Sequence, residues 1–247
     1  MRCIFCKRDS TKSRSLEHII PESLGNIDHV LPRGVVCDTC NNYFARKVEG
    51  PLLATAWARH IRSRQWVPNK RGIIPPMDGI VPGARMNANV WLNGTNLTVS
   101  GRNEGEDRAL AEAIQTGRAK SVYIPIIEEI DQRLMSRFLA KVALEVLAER
   151  LVSVEGWNEE IVEKEALDPL RRFARVGDYP EKWPFSRRRI YGEEDVHGDG
   201  FQVLHEFTIL CEPRPGPTNL DLYVVVCIFG EEFAINMGEP EIANYQR

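Results

Sequence analysis

The clearest alternation of apolar and polar positions lies over residues 131–152. Leu134, Phe138, Val142 and Val146 recur every four residues, as do Met135, Leu139, Ala143, Leu147 and Leu151. Together they predict one broad apolar face of a long helix, with Arg137, Lys141, Glu145 and Glu149 on the other side. This pattern reads as core scaffolding with no cofactor site. A further helix is expected over 158–174. Earlier, Leu52, Leu53, Ala56, Trp57 and Ile61 make a shorter apolar face on a helix that Pro51 can open, with Arg59, His60, Arg62 and Arg64 largely off it. Another helix is expected from Cys40 to Val48, capped by Asp38 or Thr39 and ended by Gly50-Pro51.

Strand-like runs over 85–92 and 95–100 flank Asn93-Gly94, a pair that favours the positive φ angles of a tight hairpin. A helix over 106–118 and a strand over 121–127 follow. Three more strands are expected over 201–211, 220–228 and 232–237, the last two joined through Gly230. The whole reads as an α+β chain whose body has a mainly antiparallel sheet and one long amphipathic helix. Prolines and glycines crowd 68–84, so three segments are expected: 1–67, a linker or ordered loop over 68–84, and 85–247.

Hydrophobic residues at 43% and charged residues at 27% fit a folded globular chain rather than a disordered one. No apolar run approaches the roughly 20 residues of a membrane span. Residues 1–6 lack the apolar core of a signal peptide, so a cytoplasmic setting is expected, with no membrane partner. The net charge of −3 hides an asymmetry. Residues 1–72 hold 13 Lys/Arg against 6 Asp/Glu, and the remainder is acidic. A basic N-terminal segment points to a polyanion.

Six cysteines in a cytosolic chain favour metal over disulfides. Cys211 and Cys227 sit in apolar runs and are expected in the core. The other four form two CxxC pairs, Cys3/Cys6 and Cys37/Cys40, able to give four thiolates to one structural Zn²⁺. Four protein ligands leave that ion no open position, so chemistry must lie elsewhere in the loop it closes.

Between the pairs lies Ser15-Leu16-Glu17-His18-Ile19-Ile20-Pro21. A carboxylate such as Glu17 can hold a hard divalent ion, and a neutral imidazole such as His18 can take a proton from water. Asn41, directly after Cys40, offers a carbonyl oxygen that can complete a Mg²⁺ site. Arg46, Lys47, Arg59, Arg62, Arg64, Lys70 and Arg71 are candidate contacts to a nucleic-acid backbone. Arg187-Arg188-Arg189 is a second basic run, read as surface. Asp195, His197, Asp199 and His205 are spaced too loosely for a second metal site.

Three runs agree in order: Cys3-Ile4-Phe5-Cys6, Glu17-His18-Ile19-Ile20-Pro21-Glu22-Ser23-Leu24-Gly25, and Cys37-Asp38-Thr39-Cys40-Asn41-Asn42-Tyr43-Phe44. Over these fifty residues the chain resembles the HNH endonucleases, in the subgroup whose ββα-metal core is clamped by two zinc-binding CxxC pairs. The resemblance implies metal-dependent hydrolysis of phosphodiester bonds in DNA, which is the expected partner, with RNA left open. It implies His18 as general base and Glu17 and Asn41 as ligands to a catalytic Mg²⁺ or Mn²⁺. Glu17 stands where the family more often has Asp. The middle Asn of the family falls on Pro32 here, and Asn26, Asp28, His29 or a backbone carbonyl could substitute. The other reading is a zinc-dependent nucleic-acid-binding module without cleavage activity. A homodimer is compatible with either.

Overall fold

The computed structural model describes residues 1–93, 95–125, 129–192, 195–196, 200–202, 205–213 and 220–245. Its N-terminal stretch is built on two very short strands. β1 (Glu17–His18) pairs antiparallel with β2 (Val30–Leu31), setting Glu17 opposite Leu31 and His18 opposite Val30. Helix α1 (Asp38–Phe44) follows. Cys37 caps it, its sulfur accepting from the Cys40 N–H where a Ser or Asp oxygen more often serves.

The helical path does not stop at Gly50-Pro51 as expected. A π-helical turn over Ala45–Glu49 leads into α2 (Gly50–Ala54), and the Gly50 N–H reaches back five residues to the Ala45 carbonyl. That wider turn accommodates Pro51 inside the path. The break comes at Thr55, whose hydroxyl accepts from the Ala58 N–H and opens α3 (Ala56–Arg64).

The chain divides into two compact units, Met1–Leu52 together with Asp131–Arg247, and Leu53–Ile130. The second is thus an insertion, and the boundary expected at 68–84 falls inside it. It contains α3, a meander of β3 (Met77–Val81), β4 (Met86–Asn93) and β5 (Asn96–Ser100), and α4 (Glu104–Gln115). β3 lies within the stretch read as linker, where Met77 and Val81 are buried and pair with Val90 and Met86 of β4. The β4–β5 hairpin closes on Asn93 opposite Asn96, with Gly94 outside the described residues. Asn103 caps α4 by accepting from the Gly105 and Glu106 N–H groups. The expected strand over 121–127 is only a bridge, Tyr123 to Ile80, with Ile126 and Ile127 outside the described residues.

In the first unit, Asp131 caps α5 (Gln132–Leu151), accepting from the Leu134 N–H. Helices α6 (Trp157–Glu163) and α7 (Asp168–Arg175) replace the single helix expected over 158–174. Lys164 leaves helical geometry at ψ 95°, and Pro169 suits the first turn of the new helix. Strands β6 (Phe185–Arg189), β7 (His205–Pro213), β8 (Leu220–Ile228) and β9 (Glu231–Asn236) form an antiparallel sheet in the order β6-β9-β8-β7. The fold is α+β with antiparallel sheets, as the sequence pattern implied.

β6 was not expected, because the triple arginine masked it. Arg187 and Arg188 are satisfied within the sheet by two-pronged pairs with Glu231 and Glu232 on β9. Of the two lone cysteines, Cys227 is buried on β8, whereas Cys211 is exposed on the edge strand β7. No helix among the described residues is long and apolar enough to cross a membrane.

α5 runs through the first unit's core. Met135, Phe138, Leu139, Val142, Ala143 and Val146 are all buried, and the helix packs on α7 and β9. Truncating Phe138, which has no solvent exposure, to Ala leaves a large void. The expected loss is about 3–5 kcal/mol, read as a lower denaturant midpoint for this unit.

Candidate functional site

The four cysteine sulfurs of the two CxxC pairs all lie within 4.8 Å of one another. Four sulfurs at about 2.3 Å from a tetrahedral zinc would stand about 3.8 Å apart. Cys6 and Cys37 Sγ are 3.6 Å apart, so the set fits such an ion. Backbone N–H groups already point at the sulfurs, from Cys37 to Cys3 and from Cys40 to Cys37. A hydrogen bond with Cys40 lowers the Cys3 thiol to about 5, while the same bond together with burial pushes Cys40 up. Among the described residues the cysteine cluster is the one group of three or more His, Cys, Asp or Glu side chains arranged to hold a metal.

The knuckle holds the start of α1, and α1 grips the extended segment before the Glu-His pair. Asp38 Oδ1 accepts from the Arg14 and Ser15 N–H groups at 3.0 and 2.9 Å and from the Ser15 hydroxyl at 2.6 Å. Asn41 Nδ2 donates to the Leu16 carbonyl at 3.0 Å, which turns its Oδ1 away from that carbonyl. Asn41 therefore stands beside Leu16, the residue before β1.

His18 and Glu17 end β1 in different surroundings. His18 is partly exposed, with Nε2 3.9 Å from Glu22 Oε1. Its Nδ1 is shielded from solvent and has no hydrogen-bond partner. Glu17 is buried, 5% exposed. One oxygen, Oε1, lies 2.8 Å from Lys141 Nζ, and the other, Oε2, is shielded and without a partner. Two adjacent residues thus each hold an orphaned buried polar atom, a combination that suits binding of a cation or a polar ligand.

Of the candidates for the middle position, Asn26 is the one bonded across the loop between β1 and β2. It is 1% exposed and fully bonded. Its Nδ2 donates to the Ile20 and His29 carbonyls at 2.7 and 3.0 Å, and its Oδ1 accepts from the Asp28 and His29 N–H groups at 3.2 and 3.0 Å. Asn26 therefore ties the exit of β1 to the entrance of β2, just after Gly25 turns the chain with φ +90°. The His29 ring instead reaches Glu149 at 3.2 Å and stacks edge-on to Phe207 at 4.2 Å.

Lys141 is the residue that sequence reasoning misplaced. It lies on the stripe read as the outer side of α5, yet it is 0% exposed. Its Nζ lies 2.8 Å from Glu17, 2.8 Å from Glu49 and 2.9 Å from Glu145. It also donates to the His18 and Ile19 carbonyls at 3.2 and 3.4 Å. Burial disfavours its charge, but three carboxylates overcome that and hold it protonated. Burial pushes Glu17 above the usual carboxylate range and Glu145 well above it, since one cation cannot balance three anions. The four-residue spacing of Arg137, Lys141, Glu145 and Glu149 was the available signal.

Residues 3–55 match the HNH endonuclease family model. The HNH match covers about a fifth of the chain and contains both CxxC pairs, Glu17, His18, Asn26 and Asn41. It supports a nuclease or nucleic-acid-related function for that stretch. No curated protein and no solved structure matches the chain.

The expected backbone contacts divide. Arg46 and Lys47 are exposed on the π-helical turn after α1, in the unit holding the HNH stretch. Arg59, Arg62 and Arg64 lie on α3 in the other unit. Arg59 pairs with Asp78 at 2.7 Å. Arg62 is only 5% exposed and cannot face a nucleic acid, because the buried face of α3 runs through Trp57, Ala58, Arg62 and Ser63. Arg64 is exposed. His205 is half-buried on β7, where desolvation lowers its pKa to about 4; His197 and Asp199 lie outside the described residues.

Replacing Asn26 by Ala removes four hydrogen bonds and orphans buried backbone groups. The expected loss is about 1–3 kcal/mol, seen in denaturant unfolding, with bound metal retained by the cysteines.

Proposed function

We propose that this chain is a metal-dependent endonuclease that hydrolyses phosphodiester bonds in DNA. The observation that carries the reading is the end of β1. There His18 Nδ1 and Glu17 Oε2 are both buried and unpartnered, inside the stretch that matches the HNH endonuclease family. A buried polar atom without a partner calls for an explanation, and a site for reacting groups supplies one for these two.

In this reading His18 is the general base and takes a proton from the attacking water. Glu17, through its unpaired oxygen, and Asn41, through Oδ1, would hold Mg²⁺ or Mn²⁺. Such an ion, when bound, polarises the phosphate and stabilises the departing oxygen. Asn26 takes the middle position of the motif by fixing the loop behind His18. Zn²⁺ at Cys3, Cys6, Cys37 and Cys40 is structural and keeps the start of α1, with Asn41, against β1. Arg46 and Lys47 make backbone contacts of little sequence preference. One observation favours the reading without cleavage, namely that Glu17 is already engaged by Lys141.

Nicking of supercoiled plasmid with Mg²⁺ or Mn²⁺ separates the two. The wild-type chain is expected to nick, and His18→Ala to nick about 10²–10⁴ times more slowly. Equal rates, or no nicking by either, would reject the hydrolase. Cys40→Ser is expected to lose zinc, measured per chain by elemental analysis, and to melt at a lower temperature.

A further inference from the structure

The polar stripe of α5 touches three separate parts of the HNH stretch. Arg137 donates to the Tyr43 hydroxyl on α1 at 3.1 Å. Lys141 meets Glu17 and the carbonyls of His18 and Ile19, at and just beyond β1. Glu149 meets His29 in the loop between β1 and β2. These are the segments that carry Asn41, the Glu-His pair and Asn26. They are held from one helix, whose Lys141 lies 123 residues beyond His18 in the chain.

We infer that Lys141 is a positioning residue of the proposed hydrolase site, which fixes Glu17 so that one carboxylate oxygen is left for a divalent ion. The inference rests on the reading of His18, Glu17 and Asn41 as the reacting site. An ammonium has three N–H groups. Lys141 Nζ has five oxygens within 3.4 Å, two of them backbone carbonyls at the end of β1. A lysine that only neutralised buried carboxylates would need no carbonyl contacts, and a well-packed apolar side chain would be no worse for stability. The carbonyl contacts set the height of β1 against α5. The Glu17 contact settles which carboxylate oxygen faces inward. Oε1 goes to Lys141, and Oε2 remains without a partner. A group that orients a metal ligand in this way typically changes metal affinity by about 10–100-fold when removed.

The test uses the full-length chain and plasmid nicking across a range of Mg²⁺ concentrations. Lys141→Met keeps an unbranched side chain, one atom shorter, and removes the charge. The Mg²⁺ concentration for half-maximal nicking is expected to rise by about tenfold or more, with DNA binding in the absence of Mg²⁺ unchanged. A merely structural lysine would lower the rate at every Mg²⁺ concentration without moving that midpoint, and such a result overturns the inference. Because Lys141→Met strands three carboxylates, Lys141→Met/Glu145→Leu is made as well, removing one charge of each sign. The same rise is expected, and an unmoved midpoint in this folded variant also overturns the inference. If neither variant folds, as judged by zinc content and a cooperative melt, Lys141 is a structural residue and the inference falls. A wild-type chain that does not nick at any Mg²⁺ concentration rejects the hydrolase reading and this one with it. Wild-type nicking with unmoved variants rejects the role of Lys141 alone.

Discussion

A single buried ammonium organises the first unit. Lys141 has no solvent exposure and stands among the carboxylates of Glu17, Glu49 and Glu145. Removing a charge from water costs several kcal/mol unless it is paired and fully hydrogen-bonded. Lys141 meets that condition only if β1, the π-helical turn carrying Glu49 and α5 are all in place at once. The interaction is therefore conditional on the tertiary arrangement, and it penalises any arrangement that separates the HNH stretch from α5.

The N-terminal stretch has little means of standing alone. β1 and β2 are two residues each, far short of an independently stable hairpin. Its first turn is docked to the C-terminal helices by matched polar contacts. Asn158 exchanges hydrogen bonds with the backbone N–H and carbonyl of Arg2, and the buried Arg171 donates to the Ile4 carbonyl. Lys7 pairs with Asp168 at 2.7 Å. These contacts explain why Met1–Leu52 clusters with Asp131–Arg247 rather than with the residues that follow it directly.

Local chemistry was legible in the sequence, and long-range pairing was not. The CxxC pairs, the Glu-His pair and Asn41 stand out because the functions proposed for them need particular residue types at short spacing. The cap at Asp131 and the apolar rows of α5 are local in the same sense. By contrast, Lys141 and Glu145 were read as the outer face, since periodicity reports which positions share a side and not what that side meets. Arg187 and Arg188 looked like surface charge because their partners, Glu231 and Glu232, lie on a strand that is 44 residues away. The basic excess of the first 72 residues misled for the same reason. Part of it is engaged internally, in Lys7 with Asp168, Arg59 with Asp78 and the buried Arg62, so counting charges overstated the surface open to a polyanion.

The two anchors of the site divide its work by geometry. The cysteine cluster acts at the outer ends of the loop, fixing where α1 starts and hence where Asn41 lies. Asp38 and Asn41 then hold residues 14–16 by four hydrogen bonds. Neither contact constrains the side chains of Glu17 and His18 themselves. That constraint comes from behind, through Lys141 on the carbonyls of His18 and Ile19, and from the loop, through Asn26 on the Ile20 carbonyl. A pair of residues at a strand end is thus held from the front by a cysteine cluster that could bind zinc and from the rear by a buried cation. The front anchor lies wholly within the matched 3–55, and the rear one depends on a helix far outside it. The residues that match the HNH family are therefore not a self-sufficient unit in this chain, and the precision of the Glu-His pair is a property of the whole first unit.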